Sequence, residues 1–207
     1  MAVRISDGAD LAYRRCTSCV MDTDDPEISF DEDGVCDYCL NFRNHIRPSW
    51  HTDERGTAEL ERLSERIRAE SKGRDFDCII GLSGGLDSSY AAYTAVRRMN
   101  LRPLLFHVDA GWNTDQASGN MEKLFDGLGV DLYTEVINWE EVKDLQLAFL
   151  RSQIPDQDHV QDTAFFSSLY RFARRNRIKS VLTGANHSTE SCREPEAWGA
   201  YPGIDRR

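Results

Sequence analysis

Residues 77–95 read DCIIGLSGGLDSSYAAYTA, and the fold turns on how this stretch is read. Phe76 to Leu82 is a short apolar run with β-branched Ile79 and Ile80, whereas Leu86, Tyr90, Tyr93 and Val96 recur at helical spacing. The reading is strand, tight loop, helix. Gly84 and Gly85 permit positive φ and bring backbone N–H groups within reach of a ligand. Ser83, Ser88 and Ser89 add hydroxyls beside the positive end of a helix. Such a corner favours an anion, phosphate above all. The lysine of a Walker A loop is missing, which excludes P-loop chemistry.

Outward from this corner the chain alternates. Upstream, Leu60, Leu63 and Ile67 share one face of a helix that Gly73 should stop. Downstream, further strands are expected at 103–109, 131–137 and 178–184, after a first at 76–82. Helices are expected near 86–99, 115–128, 139–151 and 162–177. Alternation at this pitch predicts an α/β fold with a doubly wound parallel sheet. Ligands of such sheets sit beyond the carboxyl ends of the strands. The residues there are Ser83-Gly84-Gly85, then Asp109-Ala110-Gly111-Trp112-Asn113, then Gly184-Ala185-Asn186-His187 with Glu190 close behind. Asp109 can accept a hydrogen bond from adenine or ribose. Gly184 would let backbone approach a nucleotide. His107, inside its strand, reads better as a satisfied histidine than as a functional one.

Four of the six cysteines stand as Cys16-x2-Cys19 and Cys36-x2-Cys39, with sixteen residues between the pairs. Each CxxC makes a knuckle in which two thiolates converge on one ion, and a hairpin brings the pairs together. Zinc is the expected metal, although four thiolates also suit an iron–sulfur centre. Its role should be structural, because four thiolates leave no open coordination position. A segment of this size also buries too little surface to fold without a staple. Residues 1–56 therefore read as a zinc-ribbon-like segment and linker, with 44–57 (NHIRPSWHTDERGT) as the linker itself, and 57–207 as the α/β domain. Cys78 lies in the first strand as a small buried hydrophobe, and Cys192 remains ambiguous.

Composition narrows the function classes. The chain has 207 residues, 29% charged, and its 25 basic against 35 acidic residues leave a net charge of −10. That charge disfavours generic nucleic-acid binding. The run Arg171, Arg174, Arg175, Arg177 and Lys179 is a possible exception, although it reads more readily as a solvated face. No apolar stretch approaches the ~18 residues of a membrane span, and the amino terminus lacks an apolar signal core. A cytoplasmic protein is expected, in which an even cysteine count points to metal before disulfides.

SGGLDSS at 83–89 resembles the pyrophosphate loop of the ATP pyrophosphatases, enzymes that cut ATP between its α and β phosphates. Over nearly the whole chain a closer resemblance appears. CTSCVMDTDDPEISFDEDGVCDYC (16–39), GLSGGLDSS (81–89), HVDAGWNTD (107–115) and TGANHSTES (183–191) look like the N-acetyl sugar amidotransferase family of bacterial surface-polysaccharide biosynthesis. The resemblance implies that ATP activates the acetamido carbonyl of a nucleotide-linked N-acetyl sugar. Ammonia then attacks to give an acetamidine, and AMP and pyrophosphate leave. It also implies Mg2+ shared by Asp87 and Glu190, with Ser83, Gly84, Gly85, Ser88 and Ser89 on the phosphates. No glutaminase nucleophile is visible, since residue 2 is Ala and no Gly-x-Cys-x-Gly occurs. A separate glutaminase subunit or free ammonia is the expected nitrogen source. Family members usually continue beyond the point where this sequence stops, so a carboxyl-terminally incomplete domain is expected. The competing readings are a tRNA-thiolating ATP pyrophosphatase and a nucleotide-binding module without catalysis.

Overall fold

A computed structural model describes residues 12–153 and 158–185. Asn186, His187, Glu190 and Cys192 lie outside the described residues. By the density of their contacts, the described residues fall into two compact units that divide between Gly56 and Thr57.

In the first unit two short antiparallel bridges, Arg15 to Asp22 and Phe30 to Cys36, carry the cysteine pairs. A short helix α1 (Asp37–Asn41) follows the second bridge. The turn that closes the second bridge is made by Asp31 and Gly34. The Asp31 carboxylate accepts from Val35 N at 2.8 Å, and Gly34 takes φ +78°, a backbone region only glycine enters without cost. Asp25, which is 3% exposed, holds the loop to α1: its carboxylate accepts Glu27 N at 2.9 Å and the Tyr38 hydroxyl at 2.6 Å. Residues 44–57, expected as a bare linker, are partly coiled. A π turn spans Phe42–Ile46, a 3-10 turn spans Arg47–Ser49, and helix α2 (Glu54–Glu70) has already begun within the stretch.

The second unit builds a four-stranded sheet among the described residues, in the order β3-β2-β1-β4 and parallel throughout. Its elements run β1 (Cys78–Gly81), α3 (Leu86–Arg97), β2 (Pro103–Asp109), α4 (Asp115–Leu128), β3 (Leu132–Val136), α5 (Trp139–Arg151), α6 (His159–Arg175) and β4 (Val181–Leu182). Side chains of β1 alternate between two cores, as the two-residue period of a strand requires. Cys78 and Ile80, with Leu82 just beyond the strand, pack beneath α2, α3 and α4 with Ile67, Ala92, Ala95 and Met121. Ile79 turns to the opposite face with Leu104, Phe106 and Val108, under Leu169 and Ala173 of α6. Both faces are thus covered, which is why the strands read as nearly continuous apolar runs. The expected fold class holds, and the expected helices fall within a few residues of the observed ones.

Two local expectations need correcting. The apolar stripe that signals α3 is not the face it buries: Leu86, Tyr90 and Tyr93 are exposed, while Ala92 and Ala95 are fully buried. Small side chains let the helix lie close to the sheet, and the large ones point away. The last strand, expected over 178–184, is only two residues long. It lies at the sheet edge and pairs through Ile79 with Val181 and Ile80 with Leu182.

Candidate nucleotide site and cysteine cluster

Beyond the carboxyl ends of β1, β2 and β4 a cavity of about 640 Å³ opens against α6. That volume lies within the usual range for small-ligand sites. β1 and β4 flank the point at which the strand order reverses, where open parallel sheets bind their ligands. The loop leaving β1 forms one wall. Gly84 takes φ +77°, and a Cβ there would sit 2.6 Å from the Ala117 carbonyl oxygen, so glycine is demanded twice over. Asn120 Nδ2 donates to Gly84 O at 3.2 Å and pins the turn to α4.

The three hydroxyls divide their work. Ser83 Oγ and Ser88 Oγ lie 3.1 Å apart, and Ser88 Oγ accepts from Ser83 N at 3.2 Å. Both residues line the cavity. Ser89 donates its hydroxyl to Gly85 O at 2.6 Å and is not among the lining residues. Gly85 is the N-cap of α3 and offers no side-chain oxygen, so the first-turn N–H groups of that helix carry no side-chain cap. The partial positive charge of a helix start therefore lies at residues, Asp87 and Ser88, that line the cavity.

Asp87 lines the cavity, and so does Gly184. At Gly184, however, the collision that glycine avoids is with the chain itself. A Cβ would meet Ser88 N at 2.7 Å and the Asp87 carbonyl carbon at 2.8 Å. Its absence lets the end of β4 close on the start of α3. Asp109 is not among the lining residues; its Oδ1 accepts from Gly111 N at 2.9 Å and shapes the loop after β2. His107 is satisfied, as expected. Nδ1 donates to Leu82 O at 2.8 Å, a carbonyl that can only accept, so the neutral ring accepts at Nε2 from Asn113 Nδ2 at 2.9 Å.

Helix α6 also contributes to the cavity, which spacing along the chain does not reveal. Gln161, Asp162, Phe165 and Leu169 line the same cavity as the loop. Their spacing at i, i+1, i+4 and i+8 reads as an ordinary helix stripe, and only the closed sheet shows what they face.

In the first unit the sulfurs of Cys16, Cys19, Cys36 and Cys39 all lie within 4.8 Å of one another, and Cys19 Sγ is 3.6 Å from Cys36 Sγ. Tetrahedral zinc with 2.3 Å bonds requires sulfurs about 3.8 Å apart, so the cage is the right size. Its electrostatics call for a cation. Burial and the neighbouring thiols push Cys36 up to about 12, and burial raises Cys19 too. Burial also opposes ionisation of Cys16, yet backbone N–H groups of Cys36, Ser18 and Cys19 outweigh it and bring the thiol down to about 6. Cys36 N donates to Cys16 Sγ at 3.2 Å and Ser18 N at 3.3 Å, the contacts a metal-bound thiolate accepts. A positive ion would favour ionisation of Cys19 and Cys36 beside it. These four residues fit a structural zinc. Cys78 is different: fully buried and raised to about 12 by burial and by Asp77, it is an inert core thiol.

These features define an α/β fold with a four-stranded parallel sheet, similar in fold to solved NAD synthetase structures, and a four-cysteine cluster. No known protein family and no curated protein matches the sequence. Among solved structures, glutamine-dependent NAD+ synthetase from Acinetobacter baumannii, in complex with ADP, is 18% identical with a TM-score of 0.50; the match covers 65% of this chain and 26% of that one. NMN synthetase from Francisella tularensis is 24% identical with a TM-score of 0.47, covering 63% and 55% of the two chains. NH3-dependent NAD synthetase from Campylobacter jejuni subsp. jejuni NCTC 11168, in complex with nitrate, is 17% identical with a TM-score of 0.46, covering 66% and 58%. The match thus spans little more than half the length of the last two and about a quarter of the first. The likeness is one of fold. Among the described residues no helix is long and apolar enough to cross a membrane.

Proposed function

We propose that this protein is an AMP-forming, ATP-dependent amidotransferase that acts on the acetamido carbonyl of a nucleotide-linked N-acetyl sugar. The observation that carries the reading is the SGGLDSS loop. It lies at the strand-order reversal, with an uncapped helix start and two serine hydroxyls facing a cavity of ligand size. Ser83, Gly84, Gly85 and Ser88 hold the β and γ phosphates, while Ser89 braces the loop through Gly85 O.

An amide oxygen leaves poorly, so the reaction converts it into part of a better leaving group. The acetamido oxygen attacks the α phosphorus, the bond from that phosphorus to pyrophosphate breaks, and an O-adenylyl imidate forms. Ammonia adds to the imidate carbon, a proton is lost, and the carbon–oxygen bond breaks to release AMP and leave an acetamidine. Preorganised N–H dipoles at the loop stabilise charge gathering on pyrophosphate, usually the largest contribution to phosphoryl-transfer rates. Asp87, with Glu190, would hold Mg2+, which supplies further charge neutralisation there. No enzyme nucleophile is required. Ammonia comes free or from a separate glutaminase, and the zinc cluster stays outside the chemistry.

The test is to incubate the chain with ATP, magnesium, ammonia and candidate UDP-N-acetyl sugars and to analyse nucleotides and sugars by mass spectrometry. AMP appearing together with a sugar whose acetamido oxygen has become NH supports the proposal. Release of ADP overturns it, as does AMP formation that depends on tRNA. ATP binding with no AMP on any acceptor reduces the protein to a nucleotide-binding module.

A further inference from the structure

Trp112 stands on the loop between β2 and α4 in an unusual state for the largest side chain. It lines the cavity, yet it is 60% exposed. An indole that exposed usually moves freely, but this one is fixed on two sides. Its Nε1 donates to Gln146 Oε1 at 2.8 Å, which satisfies its one polar atom. Trp139 packs edge-on against it, with ring centroids 5.3 Å apart and planes at 82°.

The loop is built to keep both rings in place. Gly111 has φ +83°, and a Cβ there would penetrate the Trp139 ring at 2.6 Å, so glycine lets that ring settle against the backbone. The Asp109 carboxylate holds Gly111 N at 2.9 Å and sets the turn. Gln146 and Trp139 both come from α5, so one helix anchors the indole by its edge and its nitrogen. The rest of the indole, more than half of its surface, stays open on a residue that lines the same cavity as the phosphate loop.

We propose that Trp112 is a stacking platform for a nucleobase. Every base offers a π face, and a fixed indole captures one without losing side-chain freedom on binding. The proposal rests on the nucleotide reading above and extends it by naming the residue that holds the ring end of the ligand. Two reactants bring a base, ATP and the nucleotide-linked sugar, and the experiment separates them.

Binding of ATP with magnesium, and separately of UDP-N-acetylglucosamine, is measured by calorimetry on the full chain and on Trp112→Ala, Trp112→Phe and Gln146→Leu variants. Trp112→Ala is expected to weaken one of the two ligands roughly tenfold, the scale of one lost base–aromatic stack. Trp112→Phe should retain part of that affinity, and Gln146→Leu should lose less than Trp112→Ala. Loss confined to ATP assigns adenine to the platform, and loss confined to the UDP-sugar assigns the acceptor's base. Equal melting temperatures for wild type and Trp112→Ala show that the fold is untouched. If Trp112→Ala binds both ligands as tightly as wild type, the platform is overturned while the nucleotide reading survives. If wild type binds neither, both fall.

Discussion

At Gly84 and Gly85 two adjacent glycines are under unequal constraint. Gly84 has positive φ, and its missing Cβ would strike the backbone of Ala117 at 2.6 Å; around Gly85, at φ −81°, only the Ser83 hydroxyl lies near, at 3.3 Å. Backbone cannot step aside, whereas a serine rotamer can. Gly84→Ala should therefore cost about 1–3 kcal/mol, the scale of an overpacked site, and weaken ATP binding. Gly85→Ala should lower the melting temperature less, as thermal denaturation of the two variants will show. Asp77 makes a second residue-scale case. It is 5% exposed, and burial alone would raise its carboxyl. Arg102 donates to it from Nε at 3.3 Å, from its backbone N at 2.8 Å and from Nη2 at 2.8 Å, and Ser71 from its hydroxyl at 2.6 Å. Together these hold the carboxyl below its ordinary value. A depressed folded-state value means stability that is complete above the unfolded carboxylate range and lost as pH falls through the folded one. Asp77→Asn should cost about 2 kcal/mol near neutrality, the worth of a hydrogen bond to a charged group. Denaturant titrations across pH should show that penalty shrinking in acid; a constant penalty would mean that charge is not what the site uses.

At the scale of elements, the sequence disclosed much of the second unit, and α3 shows where such reading stops. Helix and strand came through because periodicity is a property of neighbouring residues, and alternating cores leave their mark along β1 and β2. Which side of α3 is buried depends on the spacing between helix and sheet, a property of the packed structure. Ala92 and Ala95 are fully buried although Leu86, Tyr90 and Tyr93 are far larger and exposed. Ala92→Leu should therefore destabilise by about 1–3 kcal/mol, because the added methylenes have no room. Leu86→Gln, at a residue 82% exposed, should stay within about 0.5 kcal/mol of wild type. Equal losses in the two variants would put the sequence stripe back in the core. The candidate site was legible to the same degree. Ser83, Gly85, Asp87 and Ser88 could be named because one short stretch carries them all, although Gly84, named with them, does not line the cavity. Gln161, Asp162 and Phe165 could not, because only the sheet brings α6 to face them. Asp109 was visible as a strand-end carboxylate, yet its bond to Gly111 N is a matter of loop geometry that spacing does not encode.

For the molecule as a whole, the two units owe their stability to different sources. In the second, Cys78, Ile79, Ile80 and Leu105 are fully buried and Phe106 is nearly so, each large side chain worth about 1.5–3 kcal/mol in transfer free energy, within cores on both faces of a sheet. In the first, Cys16, Val35 and Cys36 are the buried members of the core, and two of those three belong to the four-cysteine cluster. A core of that size cannot offset the ordering of its own backbone, whose cost is about 1–2 kcal/mol per residue. A structural zinc held by the four cysteines would contribute on the order of 10 kcal/mol and close the gap. Removing the metal with a strong chelator should therefore release amide protection throughout 12–56, including the Cys36 N–H that donates to Cys16 Sγ. Protection of β1 and β2 should persist, because their cores contain none of the ligands. Hydrogen exchange followed by mass spectrometry reads both segments in one experiment, and Cys36→Ser should reproduce the pattern without chelator. If 12–56 stayed protected after the metal had gone, the small core and its hydrogen bonds would hold that unit alone, and the four cysteines would need another purpose.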